Sequence, residues 1–439
     1  LPLQVAGGQR SAAGFVTLLP GVNLGNSPSS SSTARFSGGQ ERSDEATLDG
    51  ITMQEGLLSQ SGMTAIQADF PISPEAVGEI SVLTSNYDVQ YGASGAAVIV
   101  ASTKEGTNQL HGGAYEFQRN NYFNARPFGS IKTPRDLEND YGGYVGGAGR
   151  LPGLWTRFNR TDFFVNYEQY RSVGATTQPI LTVPTAKMRA GDFSEGPNPI
   201  YDPDTTRANP NYNPNAGIGP NNLPYLRQQF MGCDGQHPNV ICGNDPRLAQ
   251  SLAQQWLKLV PMPNRPGLQN NYVSPNGLAN SLNANTNQWD TRGDEYFGEK
   301  DHVFGTYHYR GTLPYTQSAF PAVIDTNNTR IPNYGHIARV NYDHIFSPAL
   351  VNHFAWGYLD LRTGEYNASD CCVKQLPQID GVYSHTHVPS LSFDNFSSYG
   401  GNADLLSTRP TYVATDTLTW VKGKHVFYFG GEYRSLAYP

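Results

Sequence analysis

With 439 residues the chain has room for a compact domain followed by a larger one, yet charged residues make up only 15% of it against roughly a quarter in an average globular protein. Aromatics reach 12%, with 26 tyrosines, a balance that alternating strands and long neutral loops produce, and the net charge of -7 carries no basic cluster, which argues against nucleic acid as a partner. No run approaches the ~18 apolar residues of a transmembrane helix; this excludes a helical membrane protein and leaves a β-barrel open, whose signal per strand is weak.

The chain begins at Leu1, and no segment with a basic start and an apolar core precedes Pro20. Of a cytoplasmic protein and one whose N-terminus is missing, the second is the reading taken. Residues 1–104 mix a helical pattern, SAAGFVTLLPGV at 11–22, with short strands, EATLDGITM at 45–53 and EISVLTSNYDVQYG at 79–92. They predict a small α/β domain. Residues 96–102 are small and β-branched without interruption, which suits a strand covered on both faces. A polar link follows at 104–108. In the next strand His111, Gly113, Tyr115 and Phe117 share one face, while Gly112, Ala114, Glu116 and Gln118 share the other. A soluble sandwich would bury the aromatic face against a second sheet, whereas a barrel would turn it to lipid and keep Glu116 in the lumen.

From residue 105 onward the pattern favours the barrel. Alternating segments of about ten residues, the length of a tilted membrane strand, fall at 109–119, 139–150, 161–172, 286–297, 301–311, 335–346, 349–363, 409–421 and 424–436. Their connectors alternate strictly between short (151–160, GEK, SP, KG) and long (120–138, 173–285, 312–334, 364–408). Tight turns on one side of a membrane and extended loops on the other require that parity, and a sandwich does not. In VFGTYHYRG, Val303, Gly305, Tyr307 and Tyr309 alternate with Phe304, Thr306, His308 and Arg310; in TDFFVNYEQYRS, Phe163, Val165 and Tyr167 oppose Asn166 and Glu168. Tyr170, Trp356, Trp420 and Tyr428, near strand ends, are expected in interfacial girdles. The fold class expected is thus a small α/β domain followed by about nine antiparallel strands of an incomplete barrel.

Little else in the sequence points to chemistry. Cys233 and Cys242, nine apart in a Pro/Asn/Gly-rich stretch, read as a loop-stapling disulfide of an oxidising compartment, with free thiols the alternative; Cys371 and Cys372 are given no pairing. Without paired C-x₂-C spacing and with His237 the only imidazole nearby, no metal site is expected there, and no cofactor anywhere. His385 and His387, with Asp380 and Asp394 near, form a loop H-x-H better read as solvated histidines than as a metal trap. No G-x-S-x-G occurs, and GGYVGGAG lies in a strand rather than before a helix, so no catalytic role is expected; its glycines suit strand curvature or a close approach. The serine run 28–32 reads as a flexible loop. Connector 173–285, with the helix-like RLAQSLAQQWLKLV, is too long for a mere linker and reads equally as a capture lid or a structural cap.

In serial order, LLPGV (18–22), ARFSGGQERSDEATLDGI (34–51) and EISVLTSNYDVQYGASGAAVIVASTKEGTN (79–108) resemble the plug domain of TonB-dependent outer-membrane receptors. Asp49-Gly50 and Tyr91-Gly92 carry the match best, while 35–38 departs from a plain Arg-Gly. HGGAYEFQRNNYFNARPF, GGYVGGAGRLPG, TDFFVNYEQYRS and TVPTAKMRAGDFS extend the resemblance to the Oar-like subgroup. The resemblance implies a plug at 1–104, barrel strands at 105–439, long loops outside the cell, and a plug on the periplasmic side of the lumen. It also implies an energising TonB-ExbB-ExbD complex as partner, contact with outer-membrane lipid, and a bulky, scarce small-molecule, glycan or peptide ligand; a non-transporting surface binder or adhesin is the alternative. Since such barrels have about 22 strands, the chain is expected to be an internal or truncated piece. Receptors of this family set plug arginines against barrel glutamates, so Arg35 and Arg42 are expected to latch onto Glu116 and Glu168, with loop charges in water the alternative reading of the two arginines.

Overall fold

The computed structural model describes the chain except residues 1–8, 24–34, 40–43, 54–71, 85–86, 89, 93, 127, 129–132, 134, 150–158, 175, 250–251, 276–277, 280–284, 313–318, 322, 325–328, 331–332, 368–375, 382–387, 401–404 and 438–439. The helical pattern near the N-terminus forms a 3-10 helix, Ala12–Leu18. Four strands follow as a mixed sheet: β1 (Glu45–Leu48), β2 (Ile51–Thr52), β3 (Val77–Leu83) and β4 (Val98–Thr103), in the order β2-β1-β4-β3. β1 runs parallel to β4, and the other pairs are antiparallel. Because β4 is central and covered, its small and β-branched run is buried or half-buried throughout.

Asp49 and Gly50 make the two-residue turn between β1 and β2, with Leu48 paired to Ile51 and φ angles of 50° and 80°. Both positive angles are what a hairpin with right-handed twist needs, and Asp-Gly adopts them at low cost. The turn lifts the Asp49 side chain out of the sheet toward the strands that follow.

Those strands are β5 (His111–Asn120), β6 (Asp136–Ala148), β7 (Asn159–Gly174), β8 (Asn285–Phe297), β9 (Asp301–Thr312), β10 (Asn333–Ser347), β11 (Leu350–Asn367), β12 (Leu405–Lys422) and β13 (His425–Leu436). Each pairs antiparallel with its chain neighbour in one sheet of strand order β5 to β13. The nine-strand antiparallel sheet expected from the alternation is therefore present, with short connectors at 298–300, 348–349 and 423–424 and long ones at the opposite end. Gly298 and Gly423 supply the positive φ of two of the tight turns.

The sheet curls around the N-terminal unit. Phe164, Ile337, Leu359 and Leu361 point inward and join Phe36, Leu48, Met53 and Ile99 in one apolar core. At Gly357 of β11 a Cβ would stand 2.5 Å from Ile51 Cγ2 and 2.7 Å from an Arg339 nitrogen, so the hairpin docks where the wall has no side chain. The outer face carries cross-strand aromatic pairs such as Tyr167–Trp289 (4.4 Å) and Tyr358–Tyr412 (5.1 Å). Trp356, Trp420 and Tyr428 are exposed, as expected for a girdle, but Tyr170 is buried on the inner face. It shares the face of Glu168, two residues away, so the girdle expectation fails there by strand parity.

At the long-connector end the loops form their own layer. The residues between β7 and β8 close on themselves through the pairs Ile180–Leu181 with Tyr272–Val273 and Tyr201–Ala208 with Tyr225–Gln229, and the predicted helix forms as Pro246–Ala249 and Leu252–Leu257. Val183, Trp256 and Tyr272 of this connector pack with Phe320 and Ile324 of the β9–β10 connector and Leu376, Val388 and Tyr399 of the β11–β12 connector. Cys233 and Cys242 are joined as a disulfide, Cα to Cα 4.6 Å.

Candidate functional site

Register aligns inward polar side chains in three rows that meet the N-terminal unit. The row nearest the short turns runs Arg292, Thr306, Arg339, Gly357, Val413, Arg434 across β8 to β13. Its three arginines all reach inward. Arg292 donates to the Thr103 carbonyl at 2.8 Å and pairs with Glu105 at 3.3 Å; Arg339 donates to the Thr52 carbonyl at 3.1 Å; Arg434 pairs with Glu45 at 2.6 Å.

Two residues farther toward the loops, Asn166, Asp290 and His308 are register partners. His308 Nδ1 lies 2.8 Å from Asp290 Oδ1, and Asn166 donates to Asp290 Oδ2 at 3.0 Å. The turn residue Asp49 enters between these two rows. Its Oδ1 accepts the Thr103 N–H at 2.8 Å, its Oδ2 accepts the hydroxyls of Thr103 (2.8 Å) and Thr306 (3.0 Å), and His308 Nε2 stands 3.9 Å away. Burial opposes ionisation of Asp49, but His308 and the Thr103 hydrogen bonds outweigh it and hold the carboxyl below its usual range.

The third row is Tyr115, Gly142, Glu168, Gln288 and Arg310. Glu168 is fully buried and accepts from Gln9 Nε2 (3.2 Å), Tyr115 Oη (2.9 Å) and Ser73 Oγ. Gln9 also donates to Gln288 at 2.9 Å and accepts from Arg310 at 3.1 Å. The Tyr115 ring crosses Gly142, where a Cβ would lie 2.6 Å from the phenol oxygen, so a glycine here lets the tyrosine reach the glutamate. Beside it Arg10 lies over the Phe117 ring at 3.9 Å and pairs with Glu75 at 3.2 Å. Such desolvated polar contacts are costly to break one partner at a time, because the remaining group stays buried without its match.

Against the sequence expectations, Asp49, Gly50 and Glu168 are in this contact. Glu116 is not: it is exposed on the outer face, and the parity expected for β5 is reversed. Tyr115 and Phe117 turn inward because Arg10 offers them a cation and Glu168 offers the phenol an acceptor. Arg35 is exposed in a two-residue strand paired with Asn23, so the expected pair with Glu168 is replaced by the Gln9, Ser73 and Tyr115 contacts. Arg42, the serine run 28–32, Cys371, Cys372, His385 and His387 lie outside the described residues. Tyr91 and Gly92 occupy the turn that leads into β4, with Tyr91 N–H bonded to the Asp88 carbonyl at 3.1 Å. His237 is exposed and pairs with Asp234 at 2.8 Å, and Asp380 and Asp394 are exposed. Gln9, Ser73 and the inward arginines were not foreseen. The alternation in VFGTYHYRG, which puts Thr306, His308 and Arg310 on one face, was the signal available for the strand side.

The chain is similar to the outer membrane transporter YddB from Escherichia coli at 11% identity and a TM-score of 0.46, covering 92% of this chain and 41% of that one. It is similar to a mutant of the ferric enterobactin receptor PfeA from Pseudomonas aeruginosa at 11% identity and a TM-score of 0.47, covering 97% and 46%. To the FrpB iron transporter from Neisseria meningitidis, F5-1 variant, the figures are 10%, 0.35, 90% and 54%. The chain thus spans about half the length of the solved structures it matches. No curated protein matches the sequence. Residues 102–438, which hold all nine strands of the large sheet, match the family described as "Outer membrane beta barrel domain", and the chain belongs to that outer-membrane β-barrel family.

Proposed function

We propose that residues 1–104 are the plug and residues 105–439 the barrel strands of a TonB-dependent receptor of the Oar-like subgroup. It imports a bulky, scarce solute across the outer membrane. The observation that carries this reading is the folded N-terminal unit held inside the strand wall by three rows of hydrogen bonds and ion pairs. A gate must be firm at rest and releasable under load. Contacts of this kind serve both needs, since each bond given up can be replaced by water once the lumen opens. Glu168, with Gln9 and Ser73, takes the latch role expected of a plug and barrel pair, and Asp49 with His308 forms its second point.

Outer-membrane barrels keep short turns in the periplasm and long loops outside, which puts the three-connector loop layer at the cell surface as a capture layer. A TonB-ExbB-ExbD complex supplies the pull, and the solute is a small molecule, a glycan or a peptide. Vancomycin, too large for ordinary porins, probes the gate without knowledge of the solute. Cells carrying the full gene with 1–104 deleted should become vancomycin-sensitive, while the intact gene should leave them resistant. If the deletion is correctly inserted and exclusion is unchanged, the barrel does not conduct, and a non-transporting surface binder or adhesin replaces the importer.

A further inference from the structure

Across β5 to β8 the outer face changes character along the strands. Tyr167 and Trp289 are register partners at the level of Ala114 and Gly143, and their rings meet at 4.4 Å. Nearer the long connectors the same face carries Glu116, Tyr141, Gln169 and Asn287, and then Gln118, Asn139 and Arg171. Gln169 Nε2 and Arg171 Nη2 both donate to Asn287 Oδ1, at 2.8 and 3.0 Å, so this polar belt is joined across strands. Hydrocarbon does not accommodate such a belt, and the apolar band therefore ends near Ala114 on β5. The turn after β5 stands beyond it. At ~3.3 Å per residue on a strand tilted by ~40°, the chain from Ala114 to Tyr122 carries Tyr122 about 20 Å outside the band.

That turn holds aromatic rings out in solvent. Asn121–Phe123 form one turn of 3-10 helix capped by Asn120, whose Oδ1 accepts the Tyr122 N–H at 2.9 Å. The Asn121 carbonyl accepts the Asn124 N–H at 3.1 Å, and Asn121 Oδ1 accepts the Asp136 N–H at 3.1 Å, which ties the turn to the start of β6. On this fixed backbone Tyr122 is 85% and Phe123 82% exposed, their rings edge to face at 5.5 Å, and Phe128 is wholly exposed. Large rings grouped at a surface in this way mark a contact site. Its charge is opposite to that of the chain: residues 121–135 hold Arg126, Lys132 and Arg135 and no carboxylate, against a net charge of -7 overall. Arg126 and Arg135 are exposed and have no ionic partner among the described residues. Arg119, by contrast, is taken by Asp136 (3.0 Å) and Glu138 (3.7 Å) of the wall.

We propose that this connector binds the anionic saccharide core of the outer-leaflet glycolipid, with Tyr122 and Phe123 stacked on sugar rings and Arg126 and Arg135 paired with phosphate and carboxylate groups. The outer leaflet of a Gram-negative outer membrane is a phosphorylated glycolipid whose sugars stand directly above its acyl chains, at the height of this turn. Uncharged rings suit the apolar faces of sugars, and separate exposed cations suit anions spread along a saccharide. Acyl chains are not the occupant, because the polar belt lies between them and the rings. An apolar protein surface would bury the two arginines without partners, at a cost the saccharide does not impose. The inference goes beyond the import reading. It needs only the outer-membrane placement with the long connectors outside, and it holds for an importer and for a surface binder alike.

The test is Phe123→p-benzoylphenylalanine in the protein encoded by the full gene, purified, stripped of bound lipid and checked for folding by its heat-modifiable mobility. Irradiated with rough lipopolysaccharide, which carries the core saccharide, it should give a saturable adduct seen by mass spectrometry of the intact protein. Lipid A, which has the acyl chains and its own phosphates without the core, should give none above background. Arg126→Gln and Arg135→Gln should each raise the concentration for half-maximal labelling about fivefold, the worth of one cation near an anionic surface, and high salt should act in the same direction. Leu110→p-benzoylphenylalanine, at a site 76% exposed before the start of β5, should give no adduct with the saccharide. Equal labelling by lipid A would assign the rings to lipid rather than to sugar and overturn the proposal. So would a cross-link to another part of the same protein, which would show the rings covered within it, or labelling indifferent to both arginines. The vancomycin experiment reads the gate alone, so its failure and a failure here are told apart.

Discussion

Glu168 shows how a single side chain ties two units together. It sits at zero exposure between two strands and takes hydrogen bonds from Gln9 and Ser73 of the N-terminal unit and from Tyr115 of β5. An alanine there would strand Ser73 as a buried donor and Tyr115 as a half-buried one, while Gln9 would retain Gln288. Each stranded donor costs on the order of 1–3 kcal/mol, so Glu168→Ala should weaken docking of the N-terminal unit by about 3 kcal/mol. Hydrogen exchange at residues 72–76 reads this directly: protection should fall by about two orders of magnitude relative to the strands themselves. Unchanged protection would mean that the apolar core alone holds the unit. Gln in place of Glu168 keeps most of the acceptor geometry and should have the smaller effect.

Elements of the loop layer are fastened by another kind of contact. Arg247, on the helix Pro246–Ala249, fans across Asp202 (2.6 Å), Asp204 (2.9 Å) and Asp245 (2.6 Å), tying the helix to the hairpin that begins at Tyr201. Hydrogen bonds from Arg247 pull the Asp245 carboxyl down to about 2 and also lower Asp202. A carboxyl whose folded value lies below its ordinary value near 3.8 stabilises the fold fully above that ordinary value. The contribution fades as pH falls toward the folded value, when the proton binds both states alike. Limited proteolysis of the hairpin should therefore be constant at pH 5 and above and should rise between about pH 4 and 2. Arg247→Ala should shrink that pH step, leaving only the part held by backbone N–H groups, and make the hairpin more susceptible at neutral pH. Because the carboxylates are solvated, the tie should also loosen in high salt. A pH step undiminished by Arg247→Ala would place its origin in other groups. The Cys233–Cys242 bridge lies between the hairpin and the helix in sequence and holds regardless of pH.

At the scale of the whole molecule, strand register turns scattered polar residues into rows, and the rows into a wall that fits one inner unit. Arg292, Arg339 and Arg434 come from separate regions of the sequence and fall at one level only because the six strands β8 to β13 pair without a shift across that level. The same sheet has edges at β5 and β13, each paired on one side among the described residues. β13 is exposed on both faces along most of its length. Unpaired backbone groups are not tolerated in lipid. These 439 residues, refolded alone into bilayers, should accordingly give no uniform conductance step and no heat-modifiable band on a gel. A discrete heat-modifiable species would show that the two edges find each other.

Much of this was legible in the sequence, because it depends on neighbours along the chain. Period-two alternation located all nine strands of the large sheet to within a few residues, and connector lengths sorted the loops to two ends, whereas the segment 45–53, read as one strand, is two strands around the Asp49-Gly50 turn. The spacing of Cys233 and Cys242 announced the bridge that closes their loop. Alternation also states that two faces differ, but not which faces inward. For β7 and β9 the polar face was the obvious inner one; for β5, with aromatics on one face and Glu116 on the other, the rule pointed the wrong way. Only the packed structure decided it, because Arg10, Gln9 and Ser73 come from a distant part of the chain and their charges and donors make an inward-facing aromatic pair favourable. The apolar core of the loop layer was equally hidden: its residues come from three connectors far apart in sequence, and neither a lone tryptophan nor a phenylalanine in a polar loop carries any local sign of what will stand opposite it.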